Sequence, residues 1–195
     1  MVETVLTPER ILEAAEEVIR RFGPSKATVV DVARALGVSH GSVYRHFGSK
    51  AALRDAVTAR WLERISEPLA AIALAGGSAR KRLRRWFGAL IEAKRSRALE
   101  DPELFAAYCD LAADAREVIC AHVDELIGHI ERVVTDGVAR GEFHAPNPKA
   151  AARAAFDATS RFHHPAHAAE WGDPEIGNAF DGVWHLVSRG LDVRS

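Results

Sequence analysis

Apolar residues recur every three or four positions along almost the whole chain of 195 residues. No stretch alternates apolar and polar residues as a half-buried strand would. The spacing instead places apolar side chains on one face of a helix. After residue 78 the helical segments are 79–97, 102–111, 114–139, 148–163 and 175–191. Glycine and proline separate these segments, most clearly at Pro102 and Pro165. The pattern predicts an all-α protein.

Turn and capping residues divide the N-terminal part into short helices. Thr28 is followed three positions later by Asp31, which is the spacing of a capping box at a helix start. Gly37 suits a helix end followed by a tight turn, and Ser39 suits the cap of the next helix. Two short helices joined by such a turn are the outline of a helix-turn-helix, whose second helix enters the DNA major groove.

The second of these helices separates its apolar residues from its polar ones. Val43 and Phe47, four positions apart, are expected to hold it against its neighbours as core residues, as is Leu36. The other face would carry His40, Ser42, Tyr44, Arg45 and His46. A purely structural helix of this length would expose more Glu, Lys and Ala. A metal held by the two histidines is not expected, because positions six apart lie on different faces.

The segment 28–53 reads TVVDVARALGVSHGSVYRHFGSKAAL. It closely resembles the DNA-binding domain of tetracycline-repressor-family (TetR-family) transcription regulators. The matching positions are Thr28, Ala33, Leu36-Gly37-Val38, Val43-Tyr44, His46-Phe47, Ser49-Lys50 and Leu53. The resemblance is specific over about residues 8–60, and the remainder agrees in length and helical character. It implies a helix-turn-helix domain over 1–55 and an effector-binding and dimerisation domain over 56–195.

The resemblance implies roles for individual residues in DNA binding. Thr28, Tyr44 and Lys50 would hold phosphates, which fixes register without reading sequence. Arg45 would read guanine through its paired donors. The complete expected set is Thr28, Ser39, His40, Gly41, Ser42, Tyr44, Arg45, His46 and Lys50. Gly41 would let the helix backbone approach DNA closely. His46 is open, because it could equally pack against the first helix.

The resemblance also implies a homodimer on a palindromic double-stranded DNA operator, with a small-molecule effector that releases a repressor. The expected dimer-interface residues are Phe156, Ile176, Phe180, Val183, Trp184 and Val187. The expected effector-lining residues are Phe87, Phe105, Tyr108, Cys109 and His122. Few charges lie on these inward faces, which favours an apolar or aromatic effector. Each residue could equally belong to an ordinary helical core. No cofactor is expected.

Charge and composition are compatible with this interpretation. The net charge is −1, but residues 1–60 hold nine Lys and Arg against seven Asp and Glu. Phosphate binding depends on such local charge. No apolar run reaches the roughly 20 residues of a membrane-spanning helix, and the first residues do not resemble a signal peptide. A cytoplasmic protein without a membrane partner is expected, with Cys109 and Cys120 as buried free thiols.

Two other functions are compatible with the sequence. The first is a small metal-dependent enzyme that uses His163, His164 and His167, with Glu170 nearby. Pro165 should interrupt the helix that would align these histidines. No nucleophile elbow, phosphate loop or carboxylate pair supports another enzyme, so no catalytic site is predicted. The second is a DNA-binding dimer without a small effector.

Overall fold

The computed structural model describes residues 5–192, and within that range it contains helices and no strand. The all-α prediction is confirmed. The α-helices are α1 (Pro8–Phe22), α2 (Val29–Leu36), α3 (His40–His46), α4 (Lys50–Leu74), α5 (Ala79–Glu100), α6 (Pro102–Asp114), α7 (Arg116–Ala139), α8 (Pro148–Ala158) and α9 (Ile176–Gly190). Short 3₁₀ helices cover Ser160–Phe162 and Pro165–Glu170. No helix among residues 5–192 is long and apolar enough to cross a bilayer.

The helix ends predicted near the N-terminus are confirmed. Thr28 Oγ1 accepts a hydrogen bond from the Asp31 backbone N–H at 3.2 Å, and the Thr28 N–H donates to Asp31 Oδ2 at 3.2 Å. This capping box satisfies two backbone donors that the first turn of α2 leaves open. Gly37 ends α2 with φ 67° and ψ 29°, a left-handed conformation that glycine adopts without steric cost.

The chain forms two compact units. Unit 1 contains residues up to 62 together with Pro102–Cys120, and unit 2 contains Glu63–Asp101 together with the residues from 121 onwards. Helices α4 and α7 therefore each contribute residues to both units. This division describes packing rather than function. The functional boundary after residue 55 stays a prediction.

The core of unit 1 holds the short helices in place. Ile11, Val43 and Val57 are fully buried, and the Trp61 ring stacks on Tyr108 with centroids 4.6 Å apart. Two apolar residues expected in this core, Leu36 and Phe47, are half-buried. Leu36 is the last residue of α2 and Phe47 follows the end of α3, where fewer neighbours surround a side chain.

Unit 2 has an aromatic and aliphatic core between its long helices. Trp86, Phe87 and Leu90 of α5 are fully buried, as are Ile130 and Val133 of α7. The Trp86 and Phe87 rings meet edge to face with centroids 5.2 Å apart.

The structure corrects two details of the prediction outside these cores. Cys109 and Cys120 are free thiols as predicted, but Cys120 is exposed and Cys109 is half-buried. The helix predicted over 148–163 ends earlier, at Ala158. There the Thr159 hydroxyl donates to the carbonyls of Ala155 and Phe156, each at 3.0 Å. A side chain that binds the backbone in this way competes with continued helix.

Candidate nucleic-acid interface

Helix α3 is held to unit 1 by one face and exposes the other. Val43 is its only fully buried residue among the described positions, and half-buried Phe47 follows at its C-terminal end. The predicted DNA-facing positions His40, Gly41, Tyr44, Arg45 and His46 are all exposed. A two-turn helix that presents this many exposed hydrogen-bonding groups is suited to a polar partner surface.

A chain of hydroxyl groups positions Arg45. Ser39 caps α3 by accepting a hydrogen bond from the Ser42 N–H at 3.2 Å. The two hydroxyl oxygens of Ser39 and Ser42 lie 2.9 Å apart, and Arg45 Nη2 donates to Ser42 Oγ at 3.1 Å. A guanidinium has five N–H donors, so four are not used by Ser42. The positioning role of the serines was missed in the sequence, although their spacing of three could have revealed it.

His40 and Tyr44 form a second pair on α3, one turn apart. Their rings meet edge to face with centroids 6.3 Å apart. Tyr44 remains 41% exposed. Each ring therefore restricts the rotation of the other while both stay at the surface.

Thr28 and Lys50 line the same small crevice of unit 1. Ser49 Oγ accepts a hydrogen bond from the Ala52 N–H at 3.0 Å and so caps α4. Lys50 is thereby fixed in the first turn of α4, where helix N–H groups carry partial positive charge.

The Thr28 hydroxyl donates to Asp31 Oδ2 at 2.5 Å, and this bond is the main reason that the pKa of Asp31 lies below its ordinary value. A hydroxyl has one hydrogen to donate, so the Thr28 hydroxyl can donate to a phosphate only if its hydrogen bond to Asp31 breaks.

His46 lies at the exposed C-terminal end of α3. Its charge is the smallest of several contributions that hold the pKa of Glu9 below its ordinary value, and the largest is a backbone hydrogen bond. His46 is thus within electrostatic reach of the start of α1, but its side chain is exposed rather than packed in the core. Its role in DNA binding stays a prediction.

Two sequence models of one protein family match this chain. The model described as "Bacterial regulatory proteins, tetR family" matches residues 11–57, which include all of α2 and α3. The model described as "Tetracyclin repressor-like, C-terminal domain" matches residues 79–184, more than half of the chain.

The chain belongs to the TetR family. Among curated relatives, the transcriptional regulator TtgR of Pseudomonas putida is 32% identical over 124 residues, which cover 57% of this chain and 55% of TtgR. The regulator SrpR of Pseudomonas putida is 45% identical over 53 residues, covering 27% of this chain and 25% of SrpR. The matched part of this chain thus spans about half or less of the length of these curated relatives.

Solved structures share the TetR fold over nearly the whole length. SmeT, the repressor of the Stenotrophomonas maltophilia multidrug efflux pump SmeDEF, superimposes with a TM-score of 0.69 at 18% identity. The superposition covers 97% of this chain and 92% of SmeT. Identity at this level establishes a common fold and no more.

The effector-lining residues predicted for this TetR-family chain fall in both units. Phe105, Tyr108 and Cys109 lie in α6 of unit 1, whereas Phe87 and His122 lie in unit 2. All except the half-buried Cys109 are buried. Burial and the Lys94 charge lower the pKa of His122 to about 4, so that its ring is neutral at pH 7.

The residues predicted for the TetR dimer interface differ in burial. Phe156, Ile176 and Phe180 are buried within one copy, and the Phe180 ring meets Phe162 edge to face at 5.2 Å. Val183, Trp184 and Val187 are half-buried. Beside them runs a groove between α8 and α9, lined by Ala151, Ala154, Ala155, Ala158, Leu186, Val187, Gly190 and Leu191. Leu186 is 72% exposed and was missed in the sequence.

The three histidines after α8 make separate contacts. His163 Nε2 lies 3.2 Å from both the Thr159 hydroxyl and the Phe156 carbonyl. His164 Nδ1 accepts from the Ala166 N–H at 3.2 Å, and His167 Nδ1 lies 2.8 Å from Glu170 Oε1. Between residues 5 and 192, no group of three His, Cys, Asp or Glu side chains is arranged to hold a metal. The metal-enzyme alternative therefore gains no support.

Proposed function

We propose that this protein is a transcription regulator that binds operator DNA through α3 and acts as a repressor. One observation carries the proposal. Within the segment that matches the TetR-family model, α3 is anchored by buried Val43 while its polar residues remain exposed. The proposal includes no catalytic activity. It places the protein in the cytoplasm, where a bacterial operator is found.

The proposed DNA contacts follow from the chemistry of the exposed groups. Arg45, already oriented by Ser42, pairs with guanine O6 and N7 in the major groove. Tyr44 and Lys50 bind phosphates on either side of the recognition helix. The other proposed contacts are His40, Ser42 and His46 to base edges or phosphates, Ser39 and Thr28 to phosphates, and the Gly41 backbone at close approach.

A homodimer gives the proposed regulator its operator symmetry. A single two-turn helix reads few base pairs, whereas two copies related by a two-fold axis read the two halves of a palindrome. We assign the interface to the apolar groove between α8 and α9, together with the half-buried Val183, Trp184 and Val187. The small side chains of α8 permit close helix approach. Phe156, Ile176 and Phe180 would support this surface from within each copy.

Effector binding is proposed to favour a conformation with lower operator affinity. Such coupling requires only that the effector bind the two conformations with different affinity. The proposed effector has an apolar or aromatic body, because three of the five candidate residues, Phe87, Phe105 and Tyr108, are aromatic. The other two candidates are Cys109 and His122. Helix α4 is the proposed connection, since it begins at Lys50 and continues unbroken to Leu74.

The experiment that tests the proposal is selection of bound DNA from a random pool, followed by gel-shift titration. We expect a palindromic sequence to be enriched. Arg45→Ala should weaken binding of that sequence by about 1–3 kcal/mol and relax the preference at one position in each half-site. Tyr44→Phe should weaken binding to all sequences alike, because phosphate contacts carry no sequence information.

Arg161→Ala is the matched control for these variants. Arg161 is an exposed arginine of unit 2 that pairs with Glu170 at 2.8 Å, so its loss should leave operator binding unchanged. Operator binding by Arg45→Ala and Tyr44→Phe at the wild-type level would contradict the proposed role of α3.

A further inference from the structure

A basic groove lies along the first half of α5. It has a volume of about 660 Å³ and is lined by Arg80, Lys81, Arg84, Arg85, Gly88, Ala89 and Trp184. All of these residues belong to unit 2. Binding sites for small molecules usually have volumes of about 300–1,000 Å³. The basic groove is therefore large enough for a small ligand.

The spacing of the lining residues explains the shape of the basic groove. Residues 80, 84 and 88 form one row along α5, and residues 81, 85 and 89 form the neighbouring row. Each row consists of two cations followed by a small residue, Gly88 or Ala89. The small residues leave space beside the cations, and Trp184 contributes its indole ring from α9. The groove thus combines positive charge with an aromatic surface.

Two of the four cations already have their charge balanced. Arg80 pairs with Asp192, and Arg84 pairs with Asp181. The Arg84 guanidinium also lies over the Phe180 ring, with Cζ 4.5 Å from the ring centroid. These contacts hold both arginines in fixed positions within the groove.

Lys81 and Arg85 supply charge that is not balanced in this way. Both are exposed, and no carboxylate among residues 5–192 pairs with either side chain. Glu142, at the start of α5, instead accepts from the Ser78 hydroxyl at 2.7 Å and from the Ala79 N–H at 2.8 Å. Because Lys81 and Arg85 are one helical turn apart, both can reach the same bound group.

We propose that the basic groove binds a small aromatic phosphate ester, with its phosphate between Lys81 and Arg85 and its ring against Trp184. A phosphate ester carries a charge of about −1.5 to −2 at pH 7. That charge matches two unpaired cations better than the single charge of a carboxylate does. An aromatic ring packs favourably on an indole and on a guanidinium. Ester binding does not depend on the proposed DNA contacts, because none of these residues belongs to α3.

The basic groove is distinct from the apolar groove between α8 and α9. The two grooves share no lining residue. Trp184 and Leu186 are two positions apart in α9, so their side chains point about 200° apart around the helix axis. Ester binding is therefore compatible with a dimer that forms through the apolar groove.

Calorimetric titration of the full chain without DNA tests the inference. The probes are phenyl phosphate, adenosine monophosphate and flavin mononucleotide, each compared with its phosphate-free counterpart, namely phenol, adenosine or riboflavin. Inorganic phosphate is the probe without a ring. We expect the best-binding ester to bind at least about tenfold more tightly than its counterpart and than inorganic phosphate. Aromatic stacking and a hydrogen bond between charged groups each have an effect of about that size.

A double variant tests the two unpaired cations. Lys81→Gln/Arg85→Gln should lower the affinity for this ester by at least about tenfold, and both positions are exposed, so the variant should fold. The matched control is Lys149→Gln/Arg153→Gln, which removes the same charge from exposed positions of α8 in unit 2 that do not line the basic groove. The control should bind the ester as the wild type does. Thermal melting followed by circular dichroism checks both variants.

The indole N–H signals in NMR spectra show where the ester binds. Trp184→Phe identifies the Trp184 signal by its loss. That signal should shift when the ester is added to the wild type. The signals of the other three tryptophans, which are all buried, should stay in place.

Several results would overturn the inference. They are no binding of any ester, equal affinity for the best ester and inorganic phosphate, wild-type ester binding by Lys81→Gln/Arg85→Gln, and ester binding that leaves the Trp184 signal unchanged. Titration with random-sequence duplex DNA distinguishes a different partner. If the double variant loses affinity for this DNA but keeps its affinity for the ester, the groove is a nucleic-acid surface and the inference fails.

Discussion

Arg45 illustrates how neighbouring residues prepare a single side chain for recognition. Its guanidinium gives one donor to Ser42 Oγ, and Ser42 is in turn 2.9 Å from the Ser39 hydroxyl that caps the helix. The residue that starts α3 is thus connected to the residue proposed to read DNA. Fixing an arginine rotamer before binding reduces the entropy lost when it meets a base.

Gly41 gives a prediction in which stability and DNA binding change in opposite directions. A Cβ added to Gly41 would lie 3.8 Å from Ser39 Oγ, an ordinary contact, and its φ is not in the left-handed region. Gly41→Ala should therefore raise the free energy of unfolding by up to about 1 kcal/mol through helix propensity. The same methyl group should weaken operator binding, because it would separate the α3 backbone from DNA.

Gly128→Ala is the matched control for Gly41→Ala. Gly128 lies in α7, and an added Cβ would have no neighbouring atom within 4 Å. It should stabilise the protein by a similar amount and leave operator binding unchanged. Urea unfolding and gel-shift titration measure the two effects, and unchanged operator binding by Gly41→Ala would exclude close backbone approach.

At the scale of the elements, local signals placed the short helices correctly. The capping box of Thr28 and Asp31, the left-handed Gly37 and the Ser39 cap act within a few residues, so the sequence predicted them and the structure confirms them. The end of α8 was predicted wrongly, because the Thr159 hydroxyl binds the helix carbonyls. The apolar periodicity of the sequence continues past Thr159. Periodicity therefore does not show that a side-chain hydroxyl competes with the backbone N–H groups for the helix carbonyls.

The groove between α8 and α9 provides a prediction about assembly. Leu186→Glu would place a charge among the apolar side chains that line the groove. If the groove is the dimer interface, the carboxylate must be buried without a partner, and the dimer should dissociate at concentrations where the wild type is dimeric. Sedimentation velocity measures the change, and operator affinity should fall in parallel.

His185→Glu controls for the added charge in this experiment. His185 is the preceding residue of α9, is exposed, and does not line the groove. Its replacement should leave the dimer intact. A dimer that survives Leu186→Glu would place the interface on another surface.

At the scale of the whole molecule, buried neutral histidines make stability depend on pH. His122 and His163 have folded-state pKa values of about 4 and about 3, below the roughly 6.5 of an unfolded histidine. Because the unfolded chain binds these protons more tightly, acid favours unfolding. Their contribution is complete above about pH 6.5 and decreases as the pH falls towards the folded-state values.

Urea unfolding at pH 7 and pH 5, at one protein concentration, tests this dependence. When the pH is lowered from 7 to 5, His122 and His163 should each reduce the free energy of unfolding by about 2 kcal/mol, since one pKa unit corresponds to about 1.4 kcal/mol. His163→Gln replaces one of these histidines by a residue that does not titrate. The variant should therefore lose about 2 kcal/mol less stability than the wild type between pH 7 and pH 5.

The sequence alone determined the helical class, the caps and turn of the first helices, and the polar face of α3. These features depend on spacing and on hydrogen bonds between residues a few positions apart, and such signals can be read along the chain. The tertiary structure alone decided which apolar residues are internal and which remain exposed. It buried Phe156, Phe180 and His122, and it exposed Leu186 and Cys120. Burial is set by residues far away in sequence, so no local pattern distinguishes a helix face that meets its own chain from one left for a partner or a ligand.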